Sequence, residues 1–327
     1  MPDPELAKPA SLPRHSLVSS NTGPTRWLPL SLAGLWLVDA GLQLQPGMFG
    51  RSFSGDVIYN AALMYQPQWL ERFLYWSATL QARHLGLISI GIAVVQTTIG
   101  LGLLWRPTRR WALTVSVGWA GLVWVFGQGL GFMLTGTALL EFGAPGSAIL
   151  YIVLALVVWS ESRGRWPRLA LWAWSGFWTL GALLHIPWRY PAAAVLGYNL
   201  QTAAQLQPAR LSGLDYSLAR VAYTHGVSAS LVLALVELIL AASVWFPSMR
   251  RQSIWAAIGL TAVFWVLGQA MGGILTGVAT DPNTGPPVAL LGLYLLSASR
   301  HPVRSVAPVP GRPSPRWERR RCRSRPD

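Results

Sequence analysis

Two carboxylates lie in apolar surroundings where a charge is costly. Asp39 interrupts LAGLWLVDAGLQL and Glu237 interrupts SLVLALVELILAA. An acid inside a bilayer is by default a functional candidate, because its ionised form must be paired, solvated or protonated. Two roles fit each acid: proton handling, or packing with satisfied hydrogen bonds. Three histidines and two glutamines complete the set. His84 and His225 stand 141 positions apart, as do Gln128 and Gln269, and His185 lies two residues before Pro187. An imidazole at a membrane boundary is either a ligand and proton site or an interfacial group bonded to a loop carbonyl. Each glutamine lies in a run with small residues four apart, Gly127 to Gly131 and Gly268 to Gly272. Such a run reads as a helix-packing motif with a polar side chain bonding across it. If each half holds one cofactor site near the outer leaflet, Gln43, Gln45, Gln128 and His84 belong to the first. His185, His225 and Gln269 belong to the second.

Other chemistries are disfavoured. Haem needs paired axial histidines, and His84 and His225 have no second matched pair. No catalytic triad, HExxH or carboxylate cluster is visible in the apolar region, so the sequence predicts no metal and leans away from an enzyme. The single cysteine, Cys322, excludes an intramolecular disulfide, a CxxC pair and a CxxCH haem attachment.

The elements that must hold these residues are apolar helices. Hydrophobic residues make up 52% of the chain and charged ones 12%, where a soluble domain carries about a quarter. Apolar blocks fall at 28–45, 82–104, 111–134, 146–160, 169–186, 222–246, 253–276 and 287–299. They come as continuous runs, which predicts an all-α integral membrane protein with about eight transmembrane helices. The fourth and eighth blocks are short and either span by thinning the bilayer or re-enter it. The segments 46–78 and 187–219 read as interfacial helical caps on the outer face.

A constant offset of 141 organises the chain. Pro46 matches Pro187, Gln66-Pro67 matches Gln207-Pro208, Arg109-Arg110 match Arg250-Arg251, and WVFGQGLGFMLTG (124–136) matches WVLGQAMGGILTG (265–277). The pattern predicts a tandem duplication of a four-helix unit. An even number of helices makes the two units parallel, about an axis along the membrane normal. The expected division is a disordered N-terminal tail (1–26), two units (27–162 and 163–299) and a basic disordered tail (300–327).

The net charge of +14 follows topology more than nucleic-acid binding, and no nucleic-acid partner is expected. With both termini cytoplasmic, 20 of the 26 Lys and Arg lie on the inner side, nine of them from Arg300 onward. The positive-inside rule supports that orientation. The tail GRPSPRWERRRCRSRPD suits anionic lipid headgroups at the inner leaflet.

The stretches VVQTTIGLGLLWRPTRRWALTVS (94–116) and LVELILAASVWFPSMRRQSIWAAI (235–258) share one layout: an acid or amide, a Gly/Leu-rich run, then a short basic turn. In this they resemble the DoxX-like family of four-helix membrane proteins. The resemblance implies a bacterial inner-membrane protein, with quinone or thiol redox chemistry supplied through membrane or redox partner proteins. The chain departs from redox-active relatives in having no cysteine within its apolar blocks. Three functions follow as expectations: a non-catalytic membrane subunit or scaffold, a quinone- or haem-binding component of a membrane oxidoreductase at the His/Gln positions, or a proton-coupled small-solute transporter using Asp39 and Glu237.

Overall fold

The structure is a computed structural model that describes residues 27–50, 53, 59–63, 65–161, 168–187 and 189–299. The tails expected to be disordered lie outside these residues. The regular secondary structure of the described residues is entirely helical, with no strand. The first half carries α1 (Trp27–Leu42), α2 (Tyr59–Leu63), α3 (Gln68–Arg83), α4 (Leu85–Leu104), α5 (Arg109–Leu122) and α6 (Ser147–Glu161). The second half carries α7 (Arg168–Leu184), α8 (Ala192–Gln205), α9 (Ala209–Ser243), α10 (Pro247–Val266) and α11 (Gly285–Ser299).

Among the described residues, three helices are long and apolar enough to cross a membrane: α4, α9, and α10 with the turn that follows it. Only 33%, 33% and 28% of their most apolar windows are buried within the chain, so most of that apolar surface faces outward. Leu87, Ile90, Val94 and Leu101 form such a face on α4, and Val227, Leu231, Leu235 and Leu238 form one on α9. Spacings of three, four and seven put these residues on one helix face. A soluble protein does not expose so much contiguous apolar surface, and a bilayer is the medium that accepts it. The helices α1, α6 and α11 are apolar but shorter.

One continuous apolar core runs through both halves, with Trp36, Tyr151, Trp174, Trp178 and Tyr294 fully or almost fully buried in it. Trp36 meets Tyr151 edge to face at 4.7 Å. Within the first half, α1 packs along α4. Gly100 permits this approach, since a Cβ there would stand 2.7 Å from Leu37 Cγ. Within the second half, α7 packs along α9 in the same way.

Equivalent local geometry recurs at the 141 offset. His84 breaks the run between α3 and α4 at φ −132°, and His225 breaks α9 at φ −122°. The segments 46–78 and 187–219 are largely helical where described, forming α2, α8 and parts of α3 and α9. Arg109 Nε donates to the Leu103 carbonyl at 3.0 Å, and Arg250 Nε donates to the Val244 carbonyl at 2.7 Å. Each guanidinium thus satisfies an orphan carbonyl at the end of the preceding helix.

The third apolar block of each half departs from expectation. The helix expected over 111–134 ends in a π turn, Val123–Gly127, and then reverses its hand. Gly129, Leu130, Gly131 and Phe132 all have positive φ, from 51° to 63°, and Ala270, Met271, Gly272 and Gly273 repeat this from 47° to 73°. Left-handed backbone costs about 1–2 kcal/mol per non-glycine residue and is normally adopted singly. Gly131 is obligatory here, because a Cβ would come within 1.9 Å of the Pro145 carbonyl oxygen. The glycines therefore serve a left-handed turn, and the small-residue helix face expected from the sequence does not form.

Candidate functional site

The left-handed turns present Gln128 and Gln269 at chain reversals. Gln128 Nε2 donates to Ser147 Oγ at 2.7 Å and to Asp281 Oδ2 at 3.4 Å, while its Oε1 accepts from the Ala148 amide at 3.2 Å. Gln269 Nε2 donates to the Leu140 carbonyl at 3.3 Å. Each glutamine thus holds the loop of the opposite half: 281 is fastened by the first half, and 140 by the second. The exchange has a steric counterpart. A Cβ on Gly47 would come 2.4 Å from the Gly277 carbonyl oxygen, and one on Gly136 would come 2.6 Å from Arg189 Cβ.

The exchanged loops deliver acids to two places. The first is a cavity of about 340 Å³ lined by residues from α1, α3, α4, α5 and α6 and from the π turn, and flanked by half-buried Thr280 and Asp281. Asp39 on α1 and Gln43 just past its end both reach it, four residues apart, with the Gln43 main-chain amide donating to the Asp39 carbonyl at 3.0 Å. The Tyr151 hydroxyl donates to Asp39 Oδ1 at 3.0 Å. Asp281 accepts from the Asn283 amide at 2.8 Å and from Thr280 Oγ1 at 3.0 Å. Trp36, Trp119 and Phe126 supply aromatic walls. Gln43 Oε1, Gln96 Oε1 and Trp119 Nε1 are buried with no hydrogen-bond partner. Among the described residues the lining holds two carboxylates and no lysine, arginine or histidine.

The second place is a cluster of three side chains. Glu141 comes from the 3-10 turn Leu140–Phe142, His185 follows α7, and Glu237 projects from α9. His185 Nε2 stands 3.0 Å from Glu141 Oε1 and 3.6 Å from Glu237 Oε2. His185 Nδ1 bonds Ser230 Oγ at 2.8 Å. Ser230 and Glu237 lie two turns apart on one face of α9, and a helical side chain leans toward its N-terminus, so Glu237 reaches back toward the imidazole. Gly181 leaves room for the carboxylate, since a Cβ there would stand 2.7 Å from Glu237 Oε2.

The residues singled out from the sequence therefore divide. Asp39 and Gln128 share the first cavity, while Glu237 and His185 share the cluster. Gln269 binds the loop residue next to Glu141 and lines a second cavity of about 370 Å³ beside the turns. His84 and His225 sit exposed at their helix breaks, line neither cavity, and make no side-chain hydrogen bond to another described residue. The carboxylate cluster that the sequence did not display is assembled in three dimensions. Its missing member was Glu141, a lone acid between two apolar blocks in a loop free of Lys and Arg.

No protein-family model, no curated protein and no solved structure matches the chain.

Proposed function

We propose that the chain is a non-catalytic membrane subunit of DoxX-like type that binds a small amphiphile carrying a cationic group in the cavity over Asp39. The reading rests on the lining of that cavity: Asp39 and Asp281, with no basic side chain among the described residues, set among Trp36, Trp119 and Phe126. Aromatic faces and carboxylates together suit a desolvated organic cation. A pocket of about 300–1,000 Å³ with a few placed polar groups is the usual form of a small-molecule site.

The same reading includes the finer architecture. Two parallel four-helix units, eight spans, cytoplasmic termini and residence in a bacterial inner membrane belong to it, with the basic tail on anionic lipid. The recurrence of helix breaks, arginine caps and left-handed turns at one offset supports the duplication.

Binding of benzyltrimethylammonium to the protein in lipid nanodiscs tests the proposal. Saturable binding is expected, and it should weaken at least tenfold in Asp39→Asn. No saturable binding, or equal binding by the variant, would sink the reading. Mass spectrometry of the same preparation checks the quinone expectation directly. A stoichiometric quinone displaced by no cation would replace the cationic amphiphile.

A further inference from the structure

We infer that Glu141, His185 and Glu237 form a binding site for a divalent transition-metal cation of the zinc class. The site ties the loop of the first half to the helices of the second. It is separate from the Asp39 cavity and does not depend on what that cavity holds.

The charge at the cluster is uncompensated: the three residues are 5%, 7% and 0% exposed, and no lysine or arginine among the described residues is paired with them. Both oxygens of Glu141 and both of Glu237 lack a hydrogen-bond donor, and so does His185 Nε2. Buried carboxylate oxygens need donors or a cation. An imidazolium would neutralise only one of the two acids and would leave Glu141 Oε2 and Glu237 Oε1 without a partner. A dication neutralises both acids.

Ser230 Oγ lies 2.8 Å from His185 Nδ1 and 3.5 Å from the His185 carbonyl, so the hydroxyl can give its hydrogen to that carbonyl and accept from Nδ1. A neutral imidazole with its proton on Nδ1 turns a lone pair on Nε2 toward the two carboxylates. Three acceptors facing one another repel unless a cation lies between them. This is also how a metal-bound histidine is oriented, with the far nitrogen donating to a polar group.

The distances suit a metal as well: the three ligand atoms lie within 4.8 Å of one another. Bonds of about 2.0–2.2 Å in tetrahedral geometry put neighbouring ligand atoms about 3.3–3.6 Å apart. The observed 3.0 Å and 3.6 Å bracket that edge closely. Three protein ligands leave one tetrahedral position for water or a further ligand.

The chain itself supplies conservative variants. At the 141 offset, position 237 corresponds to Gln96 and position 185 to Leu44, so Glu237→Gln and His185→Leu install residues the first half already accommodates. The protein is purified without a polyhistidine tag, stripped with chelator, and titrated with Zn²⁺ and then Co²⁺. One Zn²⁺ per chain is expected, with the visible absorption of tetrahedral Co²⁺ and a raised thermal midpoint. Glu237→Gln and His185→Leu should each weaken binding at least a hundredfold and abolish the Co²⁺ spectrum. The double variant His84→Ala/His225→Ala should retain both. The inference is overturned if the wild-type protein takes up no stoichiometric metal. It is equally overturned if the exposed-histidine variant, and not the cluster variants, loses the metal.

Discussion

At the scale of residues, the two acids singled out from the sequence meet different partners. Asp39 has a phenol and a cavity, whereas Glu237 has an imidazole and a second carboxylate. Buried acceptors without a donor destabilise, and an amide in place of the Glu237 carboxyl brings an N–H donor to the cluster. Metal-free Glu237→Gln should therefore unfold at a higher temperature than the metal-free parent. With zinc at a hundred times its dissociation constant the order reverses, because the parent alone gains about 2.7 kcal/mol from binding. Thermal unfolding of both proteins with chelator and with zinc reads this crossover. A variant that ranks the same way in both conditions would contradict the metal site. The arginines give a second residue-level prediction. Arg109→Ala and Arg250→Ala each remove a charged donor from a helix-terminal carbonyl, worth about 1.5–3 kcal/mol for a hydrogen bond to a charged group. Two similar losses of thermal stability are expected, since the two caps have the same form.

At the scale of elements, the reversed turns after α5 and α10 determine what the third apolar block can be. A helix would have carried Gln128 on a packing face. The turn instead aims it across the molecule at Asp281. The strain of Leu130, Phe132, Ala270 and Met271 is offset by anchoring bonds. Gln66 Nε2 donates to the Gly129 carbonyl at 3.2 Å, while Trp124 and Trp265 donate to the Pro145 and Pro282 carbonyls, each at 2.7 Å. Two glycine variants separate turn from helix. Gly131→Ala should cost more than about 2 kcal/mol, since positive φ and the Pro145 contact both oppose a Cβ. Gly118→Ala, inside α5 with open space around it, should stabilise by about 0.5–1 kcal/mol. Denaturation in one detergent ranks them. Equal effects would mean that the block is an ordinary helix.

At the scale of the whole molecule, the two halves share one core and exchange loops, so neither site is complete within one half. Asp281 flanks the cavity of the first half, and Glu141 completes the cluster of the second. The proposed orientation is testable with the single native cysteine. A membrane-impermeant maleimide should reach Cys322 only after permeabilisation. It should reach Leu275→Cys, in a Cys322→Ser background, from outside in intact cells, because Leu275 is 62% exposed on the turn after α10. Labelling in the opposite sense would invert the topology.

The sequence by itself determined that the chain is helical and apolar enough for a membrane. It also marked the 141 offset, the matched arginines and glutamines, and Asp39 and Glu237 as buried acids. These properties are local: hydrophobic runs, a repeated pattern and the cost of a charge are readable without knowing who the neighbours are. Tertiary structure alone decided the handedness of the glycine turns and the membership of the sites. Glycines four apart suit a close helix contact and a left-handed turn equally well, and only the Pro145 carbonyl against Gly131 selects the turn. Glu141 looked like an unremarkable loop acid because its partners, His185 and Glu237, lie 44 and 96 residues away in the other half. Their convergence depends on the loop exchange, and no periodicity along the chain encodes that.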